Sequence, residues 1–90
     1  MILEITGAEY IKNYKIRLVF SDKKERIINF EHFLKQARNP MTRKFLNINE
    51  FKNFKIEYGD LVWNDYEMCF PIIDLYEDHI LKEYEFSSVA

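Results

Sequence analysis

The stretch that decides the fold runs Asn53-Phe54-Lys55-Ile56-Glu57-Tyr58-Gly59-Asp60-Leu61-Val62-Trp63-Asn64-Asp65-Tyr66-Glu67-Met68-Cys69-Phe70-Pro71-Ile72-Ile73-Asp74-Leu75-Tyr76. Phe54 to Tyr58 alternates apolar and polar residues, the period of a half-buried strand. A turn is expected at Gly59-Asp60, with a short return strand over Leu61-Val62-Trp63 that ends on the single tryptophan. Pro71 suits the first turn of a helix. No catalytic or ligand motif stands in this stretch, which specifies an architecture rather than a chemistry.

The same alternation extends toward the N-terminus. Leu3 and Ile5 alternate with Glu4 and Thr6, Gly7 interrupts, and Ala8 to Ile11 resume the strand after a bulge. Asn13 marks a turn. Tyr14, Ile16, Leu18 and Phe20 then alternate with Lys15, Arg17 and Val19, the cleanest half-buried strand in the chain. Ser21-Asp22-Lys23-Lys24 reads as a polar turn before a third strand over Glu25 to Phe30. Phe30, Phe33, Leu34 and Ala37 fall at helical spacing, and Asn39-Pro40 closes that helix. Met41 to Leu46 reads as irregular. Asn47-Ile48-Asn49-Glu50 resembles a capping box that opens a short helix carrying Ile48 and Phe51 inward.

The expected fold class is α+β: a small antiparallel sheet, made of a three-stranded N-terminal meander plus a C-terminal hairpin, with short helices packed on one face. The expected core joins Ile16, Leu18, Phe20, Ile28, Phe30, Phe33, Leu34, Phe51, Ile56 and Trp63. Residues 1–76 are expected to form a single domain. Residues 77–90 read as a C-terminal helical extension with a frayed end, and Ile72, Ile73, Tyr76, Ile80 and Tyr84 fall on one amphipathic stripe.

Ninety residues support one small domain, with eight Phe and six Tyr to enlarge its core. The lone cysteine, Cys69, has no internal disulfide partner, which fits a reducing, cytoplasmic setting. Met1 to Thr6 lacks a basic region and carries an early Glu, unlike a secretion signal. Apolar runs stop at about three residues, far short of the ~20 that span a bilayer. The formal charge of −2 conceals an asymmetry. Residues 1–45 hold ten Lys/Arg and five Asp/Glu, a balance of +5, whereas residues 46–90 hold three and ten, a balance of −7.

The order of these elements resembles a family of short prokaryotic proteins known as domain of unknown function 2442. The resemblance rests on Ile16-Arg17-Leu18-Val19-Phe20-Ser21-Asp22, Arg26-Ile27-Ile28-Asn29-Phe30, Phe51-Lys52-Asn53-Phe54, and Trp63 followed a dozen residues on by Leu75-Tyr76. It covers about residues 1–76. The family usually has Gly where Lys23 stands, and a Pro-Asn-Gly-like turn where Asn64-Asp65-Tyr66 stands. The resemblance implies a small antiparallel sheet with helices on one face. It also implies an antitoxin-like role, because members look like partners of small toxin-like proteins encoded beside them. Some related chains carry an added helix-turn-helix domain, for which ninety residues leave no room. The family supplies no catalytic residues.

The residues themselves point the same way. Metal binding needs several converging ligands, and only His32, His79 and Cys69 supply His or Cys. Cys69 lies between Met68 and Phe70 and reads as an inert buried thiol. Glu57, Asp60, Asp65 and Glu67 read as solvated carboxylates flanking turns. No cofactor, metal or membrane is expected, and no enzymatic activity. A small protein partner, toxin-like and basic, or self-association is expected, with Tyr58, Tyr66, Tyr76, Ile80 and Tyr84 as the contact residues. The alternative is a nucleic-acid-associated accessory role using Lys15, Arg17, Lys23, Lys24 and Arg26 on the first hairpins, with Tyr10 interleaved on the same outward face. A pI near 5.7 argues against nucleic acid as the main partner.

Overall fold

The computed structural model describes residues 2–78 and 80. It is an α+β fold with two three-stranded antiparallel sheets. The first sheet joins β1 (Ile5–Lys12), β2 (Lys15–Phe20) and β3 (Glu25–Asn29) in chain order. The second joins β4 (Phe54–Glu57), β5 (Asp60–Trp63) and β6 (Met68–Cys69), again in chain order. Between the sheets run α1 (Glu31–Gln36), α2 (Pro40–Arg43), a 3₁₀ turn (Lys44–Leu46) and α3 (Ile48–Phe51), and α4 (Ile72–Glu77) follows the second sheet. The meander is as expected. The C-terminal hairpin gains β6, a third strand too short for its alternation to show in the sequence.

The turns follow from backbone sterics. Lys12 pairs with Lys15 and Glu57 with Asp60, so each hairpin closes over two residues. Those residues are Asn13-Tyr14 (φ 51° and 66°) and Tyr58-Gly59 (φ 53° and 81°). Two successive left-handed residues make a type I′ turn, whose twist matches the strands it joins. The second turn therefore lies one residue earlier than the expected Gly59-Asp60, and Asp60 opens β5. Tyr14 offsets its left-handed backbone by packing edge-on against Phe51, ring centroids 5.3 Å apart, and by donating its hydroxyl to the Leu46 carbonyl. In the β2–β3 turn Lys23 takes φ 75° while the Asp22 carboxylate accepts from the Lys24 N–H at 3.0 Å. In β1 the register shifts between Ile5 and Gly7, so Gly7 marks a bulge within one continuous strand.

One core serves both sheets. Ile16, Leu18, Phe20, Ile28 and Phe30 from the first meander meet Leu61, Trp63 and Met68 from the second, with Leu34, Phe45, Phe51 and Leu75 from the helical segments. Trp63 sits at its centre, fully buried, with its indole N–H donating to the Phe51 carbonyl at 2.7 Å. Two expected core residues differ. Phe33 is partly buried at the margin of the cluster. Ile56 is 38% exposed, because β4 is an edge strand and covers only one side of its neighbour. The stretch from Met41 to Leu46, expected to be irregular, is helical: Asn39 caps α2 by accepting from the Met41 N–H, and the 3₁₀ turn buries Phe45. Asn47 caps α3 by accepting from the Asn49 N–H at 3.0 Å.

The C-terminal segment departs from the single-helix expectation. Helix α4 ends at Glu77, and Asp78 adopts φ 58°, the left-handed conformation that closes a helix. Ile80, beyond that break, is 3% exposed and belongs to the main core. A core confined to residues 1–76 is therefore too short. Replacing Ile80 by Ala is expected to cost about 2–4 kcal/mol, the range for truncating a buried isoleucine. Thermal melting followed by circular dichroism checks this, and an unchanged melting temperature would place Ile80 outside the core. Tyr84, the last residue of the expected stripe, lies outside the described residues.

Candidate functional site

The first hairpins present cations that the chain itself largely occupies. Arg17 sits on the outer face of β2, opposite Glu9 of β1. Its guanidinium reaches the Glu9 carboxylate at 2.9 Å and the Glu25 carboxylate at 3.1 Å. Arg26 donates from Nε to the Tyr76 carbonyl at 2.8 Å and lies over the Tyr76 ring, 5.8 Å from its centroid. The Lys24 ammonium lies over the same ring at 5.5 Å. Lys23 is exposed in the turn, and Lys15 is half-buried at the start of β2. Arg26 pairs with Leu18 and so leaves the outer face, contrary to expectation. Tyr10 leaves it too: it pairs with Ile16 on the inner face and packs against Phe51.

Tyr76 ties α4 to the first sheet. Its ring stands edge-on to Phe20 with centroids 5.0 Å apart, and its hydroxyl donates to the Asp22 carboxylate at 2.5 Å. This hydrogen bond, then the Lys24 backbone N–H and the Lys24 ammonium, hold Asp22 below the usual carboxylate range. A carboxylate with a depressed folded pKa stabilises the fold above its unfolded pKa and loses that effect as pH falls through the folded value. The melting temperature is therefore expected to hold above about pH 5 and to fall as pH drops below about 4. Glu67, lowered by Lys44 and Asn64, acts in the same direction. Tyr76→Phe separates the two, since it should flatten only the Asp22 part. Acid melting curves of parent and Tyr76→Phe that stay parallel would contradict the assignment.

A different group gathers on the outer face of the second sheet. Lys55, Glu57 and Cys69 lie on the side of its strands opposite to the Leu61–Trp63 face, and Val62, on that same side, is fully buried. Tyr58 caps the β4–β5 turn and is 88% exposed. Tyr66, in the loop after Trp63, is 44% exposed with φ 63°. Its hydroxyl is raised above the ordinary phenol range, first by partial burial and then by the nearby Glu57 and Asp60 carboxylates, with Tyr58 and Cys69 also close. The structure thus assembles Tyr58, Tyr66, Glu57 and Asp60 on one surface. Of the five expected contact residues, it brings together Tyr58 and Tyr66. It turns Tyr76 against Phe20 and buries Ile80.

Cys69, expected to be buried, is exposed. Met68 and Phe70 point inward, so strand alternation sends the residue between them out. Asn64 donates to the Glu67 carboxylate at 2.8 Å, and Lys44 pairs with the same carboxylate, which fixes the loop that carries Tyr66. Among the described residues no group of three His, Cys, Asp or Glu is placed to hold a metal ion. Among them, too, no helix is long and apolar enough to cross a membrane.

No curated protein matches the chain significantly, and neither does any solved structure. One family model does match, through Ile80 and so through the last residue of the described core. With residues 5–80 matched, the chain belongs to the family described as protein of unknown function DUF2442.

Proposed function

We propose that this chain is a non-enzymatic protein-interaction module, antitoxin-like in role, that binds and occludes a small basic partner protein through the Tyr58–Tyr66 surface. The observation that carries this reading is the pair of exposed tyrosines held on left-handed backbone beside Glu57 and Asp60. A bulky residue at positive φ costs on the order of 1–2 kcal/mol. The Tyr58 ring stands in solvent, so the fold gains little in return for that strain. Tyrosine is a rigid, amphipathic contact residue enriched in interface hot spots. Carboxylates beside it select a basic partner and speed its approach. The internal pairing of Arg17, Lys24 and Arg26 leaves less positive charge on the first sheet for a phosphate backbone, which favours a protein partner over nucleic acid.

Tyr58→Gly tests the reading, because Gly-Gly is itself a favoured type I′ turn. The variant should melt at or above the parent temperature. It should lose at least about tenfold in affinity for a small basic partner protein recovered with the parent chain, measured by calorimetric titration. Unchanged affinity in the Tyr58→Gly/Tyr66→Ala double variant would place the interface elsewhere. Binding to DNA or RNA that is tighter than that protein's, falls steeply with salt and disappears on charge reversal of Lys23 and Lys24 would replace this reading with the nucleic-acid one.

A further inference from the structure

Strand β3 is the outer strand of the first sheet. Its hydrogen-bonding phase is fixed at both ends: Phe20 N–H donates to the Lys24 carbonyl and Phe30 N–H to the Tyr14 carbonyl, each at 2.9 Å. Antiparallel pairing alternates, so Arg26 and Ile28 direct their backbone groups at β2. Glu25, Ile27 and Asn29 direct theirs away from it. Sheet edges in natural proteins are protected by bulges, charged central residues, extreme shortness or a covering element. The other edges have such protection. The register of β1 is broken twice, and its Ile5 N–H bonds to the Gly59 carbonyl. Strand β4 carries Lys55 and Glu57, and β6 is two residues long. Strand β3 also carries two charges, but Glu25 is engaged by Arg17 and Arg26 by the Tyr76 carbonyl, within the chain. The β2–β3 register is unbroken, and the central residue of β3, Ile27, is 57% exposed. A groove runs beside this edge, lined by Arg17, Glu25, Arg26, Ile27, Glu77 and Asp78.

We infer that this edge pairs with the same edge of a second copy, β3 against β3 across a two-fold axis at Ile27. The register follows from the groups available. Only pairings among Glu25, Ile27 and Asn29 use the outward-facing backbone. Centring on Glu25 would set two carboxylates against each other. Centring on Ile27 sets the exposed isoleucines together and each Glu25 opposite an Asn29, with no like charges facing. All three outward residues of each strand are then paired, and the two sheets become one of six strands. The contact is small, so association is weak and concentration-dependent. It is separate from the tyrosine surface and does not depend on the function proposed for it.

Sedimentation equilibrium from about 10 µM to about 1 mM reads the association, over the range in which small interfaces act. A monomer–dimer equilibrium is expected, abolished by Ile27→Lys. Because Ile27 is exposed, that variant should keep the parent circular dichroism spectrum. Disulfide trapping in a Cys69→Ser background tests the register without relying on one variant. Ile27→Cys should link to itself on mild oxidation. Glu25→Cys should link to Asn29→Cys in a mixture of the two, and not to itself, since directly paired Cα atoms lie about 5.5 Å apart. A monomer throughout the range would overturn the inference, as would a dimer that survives Ile27→Lys. Exchange protection of the Ile27 amide that is the same at low and high concentration would also overturn it, by showing the edge covered within one chain.

Discussion

Trp63→Ala is expected to leave the chain unfolded or nearly so at ambient temperature. The side chain is fully buried, and its ring meets Phe30, Phe45, Phe51, Phe54 and Phe70 at centroid distances from 5.6 to 6.3 Å. Emptying such a site costs about 3–5 kcal/mol in lost transfer energy and cavity. The Phe51 carbonyl also loses the indole N–H that satisfies it, which adds about 1–3 kcal/mol for a buried acceptor left alone. Together these match the whole stability of many small domains, roughly 5–15 kcal/mol. Trp63→Phe should cost less, since it keeps a ring in the site and loses mainly the hydrogen bond. Far-UV circular dichroism melting decides between these expectations. A Trp63→Ala variant that melts within a few degrees of the parent would mean that Trp63 does not hold the two sheets together.

The second large effect is expected at a residue without a side chain. Gly59 has φ 81°, and a Cβ placed there would stand 2.8 Å from Cγ and 2.9 Å from Cβ of Glu4. The same residue accepts the Ile5 N–H through its carbonyl at 2.9 Å, the bond that fastens the start of β1 to the second sheet. Gly59→Val adds left-handed strain of about 1–2 kcal/mol and overpacking of about 1–3 kcal/mol. Gly59→Ala should show a smaller loss of the same kind. Paired with Glu4→Gly, which removes the atoms in the way, Gly59→Ala should recover the overpacking part and keep the strain. Chemical denaturation of the single and double variants measures that coupling, and strict additivity would mean that the Glu4 contact is not the cause.

How much of this was legible in the sequence depended on period. Ile16, Leu18 and Phe20 alternate over six residues, long enough for their inward face to be read directly, and Trp63 followed from the strand that pairs with Phe54. Strand β6 has two residues and shows no period, so in the sequence the apolar neighbours Met68 and Phe70 outweigh the alternation that turns Cys69 outward. The stripe from Ile72 to Tyr84 keeps helical spacing across Asp78, where the backbone turns left-handed and ends the helix. Spacing alone does not register such a break. The tyrosine surface was half visible. Tyr58 and Tyr66 stood out as residue types, but their neighbourhood with Glu57 and Asp60 depends on two turns whose left-handed residues are mostly not glycine. Of the cations of the first hairpins, Arg17 lies on the outer face, whereas Arg26 lies opposite Leu18 and Lys23 and Lys24 in the turn, and the occupation of Arg17 and Arg26 by Glu9, Glu25 and Tyr76 comes from pairing across strands and from α4.

Among the described residues, every strand pairs only with a sequence neighbour, β1-β2-β3 and then β4-β5-β6. Each ladder therefore closes a short loop, and closing short loops costs little chain entropy. Topologies of this kind fold quickly for their size. The two meanders are expected to form as separate local units, with their meeting as the slow event, when Trp63 enters the shared core and Ile5 bonds to Gly59. Substitutions in the β1–β2 and β4–β5 turns would then change how fast each half forms, whereas those at Ile5 and Ile80 would change chiefly how fast the joined halves come apart.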